Sequence, residues 1–329
     1  MQTKICGIDE KSLALAKQLL SEGEAVAFPT ETVYGLGADA RSDAAVDNIY
    51  RVKGRPQDNP LIVHIHKDFD LSRLVYDESP YAEKLRKAFL PGPLTLVYRS
   101  RGKVSAKVSC GLDTLAVRVP SHPGAQAFLK YVDLPVAAPS ANISKHVSPV
   151  SAQHVFYDLQ GKIPLILDGG ACSGGIESTV CDVTGPYPVV LRQGLVSREM
   201  IEAVAGRCEV YVPKTGEQVR SPGMKYKHYA PRCKTCLYDS PKEAAEVFQK
   251  YSGQGLRAYA LCESKYANLF PEGHVLDLGE SAEDMAARLY ALLRQGEQVA
   301  DMIVAIRPAR TDGVMAGVLN RLNKACAGD

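Results

Sequence analysis

Length, composition and charge place the chain among ordinary globular proteins. Its 329 residues are 46% hydrophobic and 23% charged, and a chain of this length exceeds one typical hydrophobic core, so two domains are expected. A formal net charge of +2 is too small for general coating of nucleic acid, and any anion site must depend on a local group of Lys and Arg. Because the sequence contains neither an apolar run of membrane-spanning length nor a signal peptide, we expect a cytoplasmic protein with no membrane partner.

The cysteines do not predict a disulfide framework. There are nine, an odd number, and they are scattered through the chain. The pair Cys233 and Cys236 alone has the spacing of a metal or redox motif, but it has no second pair and precedes a predicted strand. Packing of reduced thiols is the favoured interpretation, and no metal ligand is assigned.

Hydrophobic periodicity in the first two thirds of the chain predicts alternating helices and short strands. Helices are expected near residues 10–22, 43–52, 81–89 and 124–131. Strands are expected at residues 25–29, 61–65, 94–98, 115–119, 136–138, 165–168, 179–183 and 188–192. This alternation is typical of a mixed α/β sheet, in which functional residues gather in the loops that follow the strands.

The pattern lapses between the two predicted domains and then resumes. Residues 207–235 are interpreted as a linker or lid between a catalytic domain at 1–206 and a C-terminal domain at 236–329. Strands near residues 237, 257–262, 275–278 and 302–307 alternate with helices at 242–251, 282–294 and 314–324. A small parallel sheet with helices on both faces is therefore expected, but no Gly-x-Gly-x-x-Gly motif predicts a dinucleotide there.

Several polar loops are candidate anion sites, although none is diagnostic alone. No Walker motif occurs, and the strongest cationic group is Arg51, Lys53 and Arg55 around a predicted helix end. Lys53 and Arg55 in a non-helical loop could bind different oxygens of a polyphosphate. Alternatively, they could simply stabilise the C-terminus of the helix, where the helix dipole favours cations. The small polar residues at 139–144 and the glycine-dense loop at 168–179 suit either a ligand or an ordinary turn.

Six motifs occur in an order that resembles the YrdC/Sua5 family. They are Pro-Thr-Glu-Thr-Val-Tyr-Gly-Leu-Gly at 29–37, Lys-Gly-Arg-Pro with Asn-Pro-Leu at 53–61, Pro-Gly-Pro-Leu-Thr at 91–95, Arg-Val-Pro at 118–120, Pro-Ser-Ala-Asn-Ile-Ser at 139–144 and Glu-Ser-Thr-Val at 177–180. The linker motif at 221–231 is similar to that of the longer, two-domain Sua5 form. The resemblance implies a YrdC-like twisted mixed sheet with a concave cleft, plus a smaller Rossmann-like C-terminal α/β domain.

Members of this family are threonylcarbamoyl-AMP synthases, so the resemblance implies a nucleotidyltransferase. The expected reaction joins L-threonine, bicarbonate or CO2, and ATP into threonylcarbamoyl-AMP and pyrophosphate, for threonylcarbamoyladenosine synthesis in tRNA. A tRNA threonylcarbamoyl transferase is then the expected recipient of the product. Mg2+ is expected to arrive with ATP, held mainly by phosphate oxygens and water, because the cleft motifs lack a carboxylate cluster.

Carried over motif by motif, the resemblance also implies the site residues. Catalytic roles fall to Lys53 and Arg55. The ATP-binding residues are Arg55, Asn59, Thr114, Ser140, Asn142, Ser148, Arg192 and Tyr229. The L-threonine-binding residues are Thr32, His64, Arg118, Ala138 (through its backbone) and Ser178.

Carbamates decompose readily in water, so we expect the linker at 213–231 to cover the cleft, with residues 225–229 closing over it. A chain cut after residue 206 should then lose most of its activity. Two other classes stay open: an RNA-binding module that uses the same basic residues, with weak RNA binding as a side activity, and a carbamoyl transferase on a related domain. The latter is disfavoured because no accessory zinc or acylphosphatase-like segment accompanies it.

Overall fold

The computed structural model describes residues 1–77, 79–212 and 229–327, which form two α/β units. The strands of the first unit are β1 (Lys4–Gly7), β2 (Val26–Phe28), β3 (Gly35–Asp39), β4 (Ile62–His64), β5 (Val75–Tyr76), β6 (Leu94–Ser100), β7 (Thr114–Arg118), β8 (Val136–Ala137), β9 (Leu165–Asp168), β10 (Thr179–Asp182), β11 (Val189–Arg192) and β12 (Glu209–Val210). Its helices are α1 (Glu10–Ser21), α2 (Asp43–Lys53), α3 (Ala82–Phe89), α4 (Ala106–Ser109), α5 (Pro123–Val132), α6 (Ala152–Leu159) and α7 (Arg198–Ala205), with a 3-10 turn at Leu71–Arg73.

The second unit repeats a strand and helix pattern. Its strands are β13 (Lys234–Tyr238), β14 (Ala258–Cys262), β15 (Val275–Asp277) and β16 (Met302–Ile306). Its helices are α8 (Pro241–Gly253), α9 (Ala282–Val299) and α10 (Val314–Cys326), with a 3-10 turn at Ser264–Leu269.

The first unit is built on one sheet of twelve strands in the order β1-β9-β2-β3-β8-β4-β7-β6-β10-β11-β12, with β5 paired to β6. Parallel pairs such as β4 with β7 alternate with antiparallel pairs such as β6 with β7, so the predicted mixed α/β sheet is confirmed. Parallel pairing of β4 with β7 places His64 opposite Arg118 at the ends of the two strands. Two predicted site residues are therefore neighbours.

Four strands of this sheet were not predicted, namely β1, β3, β5 and β12. The strand β1 is short and pairs with β9 at the sheet edge, whereas β3 contains two glycines that resemble a loop composition. The glycines have a packing reason, because a Cβ at Gly37 would lie 2.7 Å from Cγ1 of Val136 on the neighbouring strand. Close approach of two strands here excludes a side chain that would make the strand recognisable.

Helix α2 ends in a basic segment that contains Arg51 and Lys53. Ser42 caps its first turn by accepting a hydrogen bond from the backbone N–H of Ala45. Gly54 ends the helix in the left-handed conformation, with φ of 58°. This turn redirects the chain, so that Lys53 and Arg55 face different surroundings.

The predicted parallel sheet of the second unit is also confirmed. Its four strands pair in the order β13-β16-β14-β15, and every pair is parallel. Helix α8 packs on one face of this sheet, while α9 and α10 contribute to a core shared with the first unit. The strand β12 extends the first sheet to Val210, and β13 begins at Lys234; the predicted boundaries at 206 and 235 lie close to these strands and stay predictions.

The two units meet through apolar packing and buried ion pairs. Arg294 of α9 lies 3.0 Å from the carboxylate of Asp158, and Arg321 of α10 lies 3.1 Å from that of Glu177. At Gly175, whose φ is 72°, a Cβ would fall 2.2 Å from the carbonyl oxygen of Ala286. The glycine-dense loop thus permits close backbone contact with α9.

None of the described helices has the length and apolar character needed to cross a membrane.

Candidate functional site

A cavity opens where strand ends and loops of the first unit converge. It lies beyond the ends of β4, β7, β8 and β11, beside the loop that precedes β10. Ten of the predicted site residues line it, namely Arg55, His64, Arg118, Ala138, Ser140, Asn142, Ser148, Ser178, Arg192 and Tyr229. Three of the lining residues are arginines, which gives the wall a cationic character.

One end of the cavity is organised by Arg118, which is 4% exposed. Its Nη1 donates a 2.8 Å hydrogen bond to the hydroxyl of Thr32, and its Nη2 lies 2.7 Å from the carboxylate of Glu31. The Thr32 hydroxyl is also 2.9 Å from that of Thr30. A buried arginine held in this way presents a fixed, planar set of donors, the geometry that suits a carboxylate ligand.

His64 lies beside this arginine as a neutral imidazole. Burial and the Arg118 charge lower the pKa of His64 to about 3. Its Nδ1 is 3.2 Å from the carbonyl oxygen of Ile62, a contact that requires the proton on Nδ1. The other ring nitrogen, Nε2, is then a hydrogen-bond acceptor.

Ser178 and Arg192 connect this end of the cavity to the next. The Nη2 atom of Arg192 donates to the carbonyl oxygen of Ser178 at 3.0 Å and to its hydroxyl at 3.2 Å. The same hydroxyl is 2.8 Å from that of Thr95 on β6. Ser178 was predicted for threonine and Arg192 for ATP, and they are in direct contact.

The loop at residues 140–142 is braced from below by Lys53. The Lys53 ammonium donates to the carbonyl oxygens of Ser140 and Asn142 and is 2% exposed. Burial, with the Arg55 charge, lowers the pKa of Lys53 well below its ordinary value. Among the described residues Lys53 is not part of the cavity wall, so its position is that of a support for the loop.

Arg55 and Asn59 differ from Lys53 in having polar atoms without partners. Arg55 donates through Nη2 to the carbonyl oxygens of Asn59 and Pro60, at 3.1 and 3.2 Å, while its Nε has no partner among the described residues. The Asn59 side chain is 1% exposed, and neither its amide nitrogen nor its oxygen has a partner in the described part of the chain. Unpartnered buried polar atoms are costly and indicate a ligand or water.

Glu177 is a cavity residue that was not assigned from the sequence. Its Oε1 accepts a 2.6 Å hydrogen bond from Ser148, and its Oε2 accepts a 2.9 Å bond from Tyr290. Burial raises the pKa of Glu177, but the charges of Arg321 and Arg192 outweigh this effect and lower it to about 2. The carboxylate is therefore ionised. A carboxylate beside an anion site has the wrong sign for a binding residue, which is why the motif alone did not indicate it.

Tyr290 and Arg321 were also missed, although the sequence holds a signal for Arg321. The buried face of α10 includes Val318 and Leu322, and helical spacing places Arg321 on that same face. A charged residue on an apolar helix face predicts a buried partner. Nothing in the sequence says that the partner is in the other unit.

In the described structure, the predicted residues that do not line the cavity are Lys53, Asn59, Thr32 and Thr114. Thr32 lies behind the wall, on Arg118, and Thr114 lies at the opposite end of β7 from Arg118. Tyr229 is 5% exposed, lines the cavity and stacks on Tyr290 with a ring separation of 5.3 Å. The predicted lid residues 213–228 lie outside the described residues.

Metal-ligating clusters are absent from the described residues. The carboxylates nearest the cavity, Glu31 and Glu177, are already paired with arginines. Cys233 and Cys236 are free thiols, and burial raises the pKa of both. Their environment is that of packed, unreactive cysteines.

The fold and the cavity define an α/β protein with a cationic cavity at its strand ends, beside a docked second unit. A family model described as "Telomere recombination", for Sua5, YciO and YrdC proteins, matches residues 18–194. A second model, described as "Threonylcarbamoyl-AMP synthase, C-terminal domain", matches residues 196–327. The chain belongs to the Sua5/YciO/YrdC family, in the form with a Sua5 C-terminal domain, and the resemblance found in its motifs is confirmed.

Threonylcarbamoyl-AMP synthases from two organisms are similar to this chain over almost its full length. The threonylcarbamoyl-AMP synthase of Bacillus subtilis is 43% identical, covering 97% of this chain and 94% of its own. That of Pyrococcus abyssi is 40% identical, covering 97% and 95%. A crystal structure of P. abyssi Sua5 complexed with L-threonine superposes with a TM-score of 0.91 at 39% identity, covering 99% of this chain and 98% of that one.

Proposed function

We propose that this protein is a threonylcarbamoyl-AMP synthase, which forms threonylcarbamoyl-AMP and pyrophosphate from L-threonine, bicarbonate or CO2, and ATP. The observation that carries the proposal is one cavity lined by Arg118, Arg55 and Arg192. A carboxylate and a polyphosphate can both be neutralised there. The full-length similarity to synthases of that name supports the same substrates.

L-threonine binds at the Arg118 end. The guanidinium, held by Thr32 and Glu31, pairs with the substrate carboxylate. The neutral His64 accepts a hydrogen bond through Nε2, which suits the threonine hydroxyl or amino group. The backbone of Ala138 and the side chain of Ser178 complete this end of the cavity.

ATP binds at the other end. Arg55, with its unpartnered Nε, and Asn59, with its unpartnered amide, contact the polyphosphate. Ser140, Asn142, Ser148, Arg192 and Tyr229 form the rest of the nucleotide pocket. Lys53 contributes by holding the carbonyl groups of the 140–142 loop, which fixes the side chains that this loop carries.

The chemistry requires position and charge rather than a protein nucleophile. The threonine amine attacks CO2 and forms a carbamate after losing a proton. A carbamate oxygen then attacks the α-phosphorus of ATP, and the bond to the β-phosphate oxygen breaks, releasing pyrophosphate. Arginines on the wall stabilise the negative charge that develops at the phosphorus.

The accessory components follow from the same chemistry. Mg2+ would be held mostly by phosphate oxygens and water, because Glu31 and Glu177 are engaged by arginines. The product, a mixed anhydride, is passed to a tRNA threonylcarbamoyl transferase in the cytoplasm. RNA binding draws less support, because Lys53 is buried and does not form part of an exposed basic track.

The test is pyrophosphate release by the purified chain with each substrate omitted in turn. We expect release only when ATP, L-threonine and bicarbonate are all present. Replacement of L-threonine by L-valine controls for general amino-acid activation, since valine lacks the hydroxyl. Release that is indifferent to threonine would refute the assignment.

A further inference from the structure

We propose that Tyr290 and Arg321 of the C-terminal unit are positioning residues for the nucleotide side of the cavity. They act through Glu177 and Tyr229, which line the cavity. This inference rests on the proposed function and gives the C-terminal unit a part in ATP binding.

The two residues bind the same carboxylate oxygen of Glu177. Tyr290 donates its hydroxyl to Oε2 of Glu177 at 2.9 Å, and Nε of Arg321 donates to the same oxygen at 3.1 Å. Oε1 of Glu177 accepts from Ser148 at 2.6 Å. With its proton directed at Glu177, the Ser148 hydroxyl presents an acceptor to a ligand, which suits a ribose hydroxyl.

Arg321 also compensates the negative charge of Glu177 in the cavity wall. It is fully buried, and without it an ionised Glu177 would face the bound polyphosphate. Arg192, whose charge also acts on Glu177, would then be drawn to that carboxylate. By compensating Glu177, Arg321 keeps the Arg192 charge available for the nucleotide.

The same pair supports the aromatic residue of the cavity. Tyr229 stacks on Tyr290 at 5.3 Å between ring centroids, and the Arg321 guanidinium carbon is 5.9 Å from the Tyr229 ring. Tyr229 has φ of 70°, an uncommon conformation for a residue with a side chain. Its place in the wall therefore depends on two residues of the second unit.

Other contacts between the units provide a matched control. Glu297 lies on α9, seven residues after Tyr290, and pairs with His146 at 2.8 Å. Neither Glu297 nor His146 lines the cavity among the described residues. Loss of the Glu297 carboxylate therefore weakens docking of the two units without disturbing Glu177.

The experiment compares the full-length wild type with Tyr290→Phe and Glu297→Gln. Rates of pyrophosphate release are measured with ATP varied at saturating threonine and bicarbonate, and L-threonine binding is measured by calorimetry without ATP. Tyr290→Phe keeps the ring and removes one hydrogen bond to a charged group, so KM for ATP should rise about tenfold. Threonine affinity should stay unchanged, and the melting temperature should fall because the buried Glu177 carboxylate loses one donor. Glu297→Gln should leave KM for ATP unchanged.

Arg321 is tested with two variants because removal of a buried cation can prevent folding. Arg321→Lys keeps the charge and should raise KM for ATP less than Arg321→Met. If Arg321→Met does not fold, the double variant Glu177→Gln with Arg321→Met removes both charges and should fold with a raised KM for ATP. A normal KM for ATP in that double variant would contradict the proposal.

The outcomes separate the two proposals. A wild type that releases no pyrophosphate with all three substrates overturns the proposed function and this inference together. An active wild type with an unchanged KM for ATP in Tyr290→Phe overturns this inference alone. A KM for ATP that rises as much in Glu297→Gln as in Tyr290→Phe would mean that the contact only docks the units. A loss of threonine affinity in Tyr290→Phe as large as its rise in KM for ATP would mean the same.

Discussion

The two ends of the cavity are built in different ways. At the Arg118 end, the contacts of Thr32, Glu31 and His64 all come from the first unit. At the other end, Glu177 and Tyr229 are held by residues of the C-terminal unit. The first end is therefore complete within one unit, whereas the second depends on how two units dock.

This difference indicates that binding of the two proposed substrates can be separated. Changes at Tyr290 or Arg321, which hold Glu177 and Tyr229, should alter ATP use and spare threonine binding. Changes around Arg118 should do the reverse. Mutational effects at sites that are far apart and share no partners are usually additive, which is the condition for such a division.

The largest effect is expected from Arg118→Met. The substitution removes the proposed hydrogen-bond donor to the threonine carboxylate and leaves Glu31 buried without its cation. The free energy of unfolding should therefore fall by about 3–5 kcal/mol. Threonine affinity should fall by about a hundredfold or more. Calorimetry with L-threonine and urea denaturation measure the two effects.

The double variant Glu31→Gln with Arg118→Met is the control for Arg118. It removes both charges, so stability should partly return while threonine binding stays lost. Retention of threonine affinity in either variant would contradict the proposed threonine end of the cavity.

Arg55→Ala should affect the nucleotide end. Loss of a charged donor to phosphate should lower kcat/KM for ATP by about thirtyfold, with threonine affinity unchanged. Arg51→Ala is the matched control, because Arg51 is an exposed residue of the same helix end that does not line the cavity in the described structure. Equal effects of the two variants would indicate general electrostatic attraction.

Lys53 should combine a smaller catalytic effect with a loss of stability. Its ammonium holds the carbonyl oxygens of Ser140 and Asn142, and Lys53→Met leaves those groups without their donor. We expect a stability loss of about 1–3 kcal/mol together with reduced turnover. Lost turnover in a variant of wild-type stability would instead favour direct contact of Lys53 with phosphate.

Acid should weaken the contact between the units. The pKa of Glu177 is lowered from 4.5 to about 2 by the Arg321 and Arg192 charges, against the effect of burial. That of Asp158 is lowered from 3.8 to about 2 by His146 and Arg294, also against burial. These carboxylates stabilise the fold above their ordinary pKa values, and the stabilisation is lost as pH falls toward 2, by at most about 1.4 kcal/mol per pH unit for each.

The acid effect is measured as melting temperature between pH 7 and pH 3. Glu177→Gln should give a flatter profile than the wild type, because its side chain does not titrate. Profiles that coincide would show that Glu177 has no special part in the acid response.

The smallest effect is expected through His146 as pH rises. Burial lowers the pKa of His146, but hydrogen bonds to Asp158 and Glu297 outweigh it and raise the pKa above 6.5. Its contribution to stability is therefore complete below pH 6.5 and is lost as pH rises through the raised value. His146→Asn should remove this slope in the melting temperature, and an unchanged slope would exclude His146 as its source.

Much of the fold could be predicted because most of its helices and strands have a clear hydrophobic pattern in the local sequence. The apolar runs of β4, β7 and β9, and the strand and helix alternation after residue 233, match the predicted elements closely. The strand β3 was missed because close packing against Val136 requires glycine there. The reason for that glycine lies in a neighbour about one hundred residues away.

The loops of the candidate site could be predicted from the sequence, but the residues that hold those loops in place could not. The motifs around Arg55, Arg118 and Ser140 meet at one cavity, as their order led us to expect. The position of Lys53 beneath the 140–142 loop was not predictable, because its partners are backbone carbonyls and carry no sequence signal.

By itself, the sequence determined the family, the two α/β units and the basic loops of the site, since each depends on residues close together in the chain. Only the tertiary structure showed that Glu177 and Tyr229 are held by Tyr290 and Arg321. Those residues lie on helices whose periodicity predicts burial but not the partner. Helix docking brings them together, and the proposed nucleotide end of the cavity depends on it.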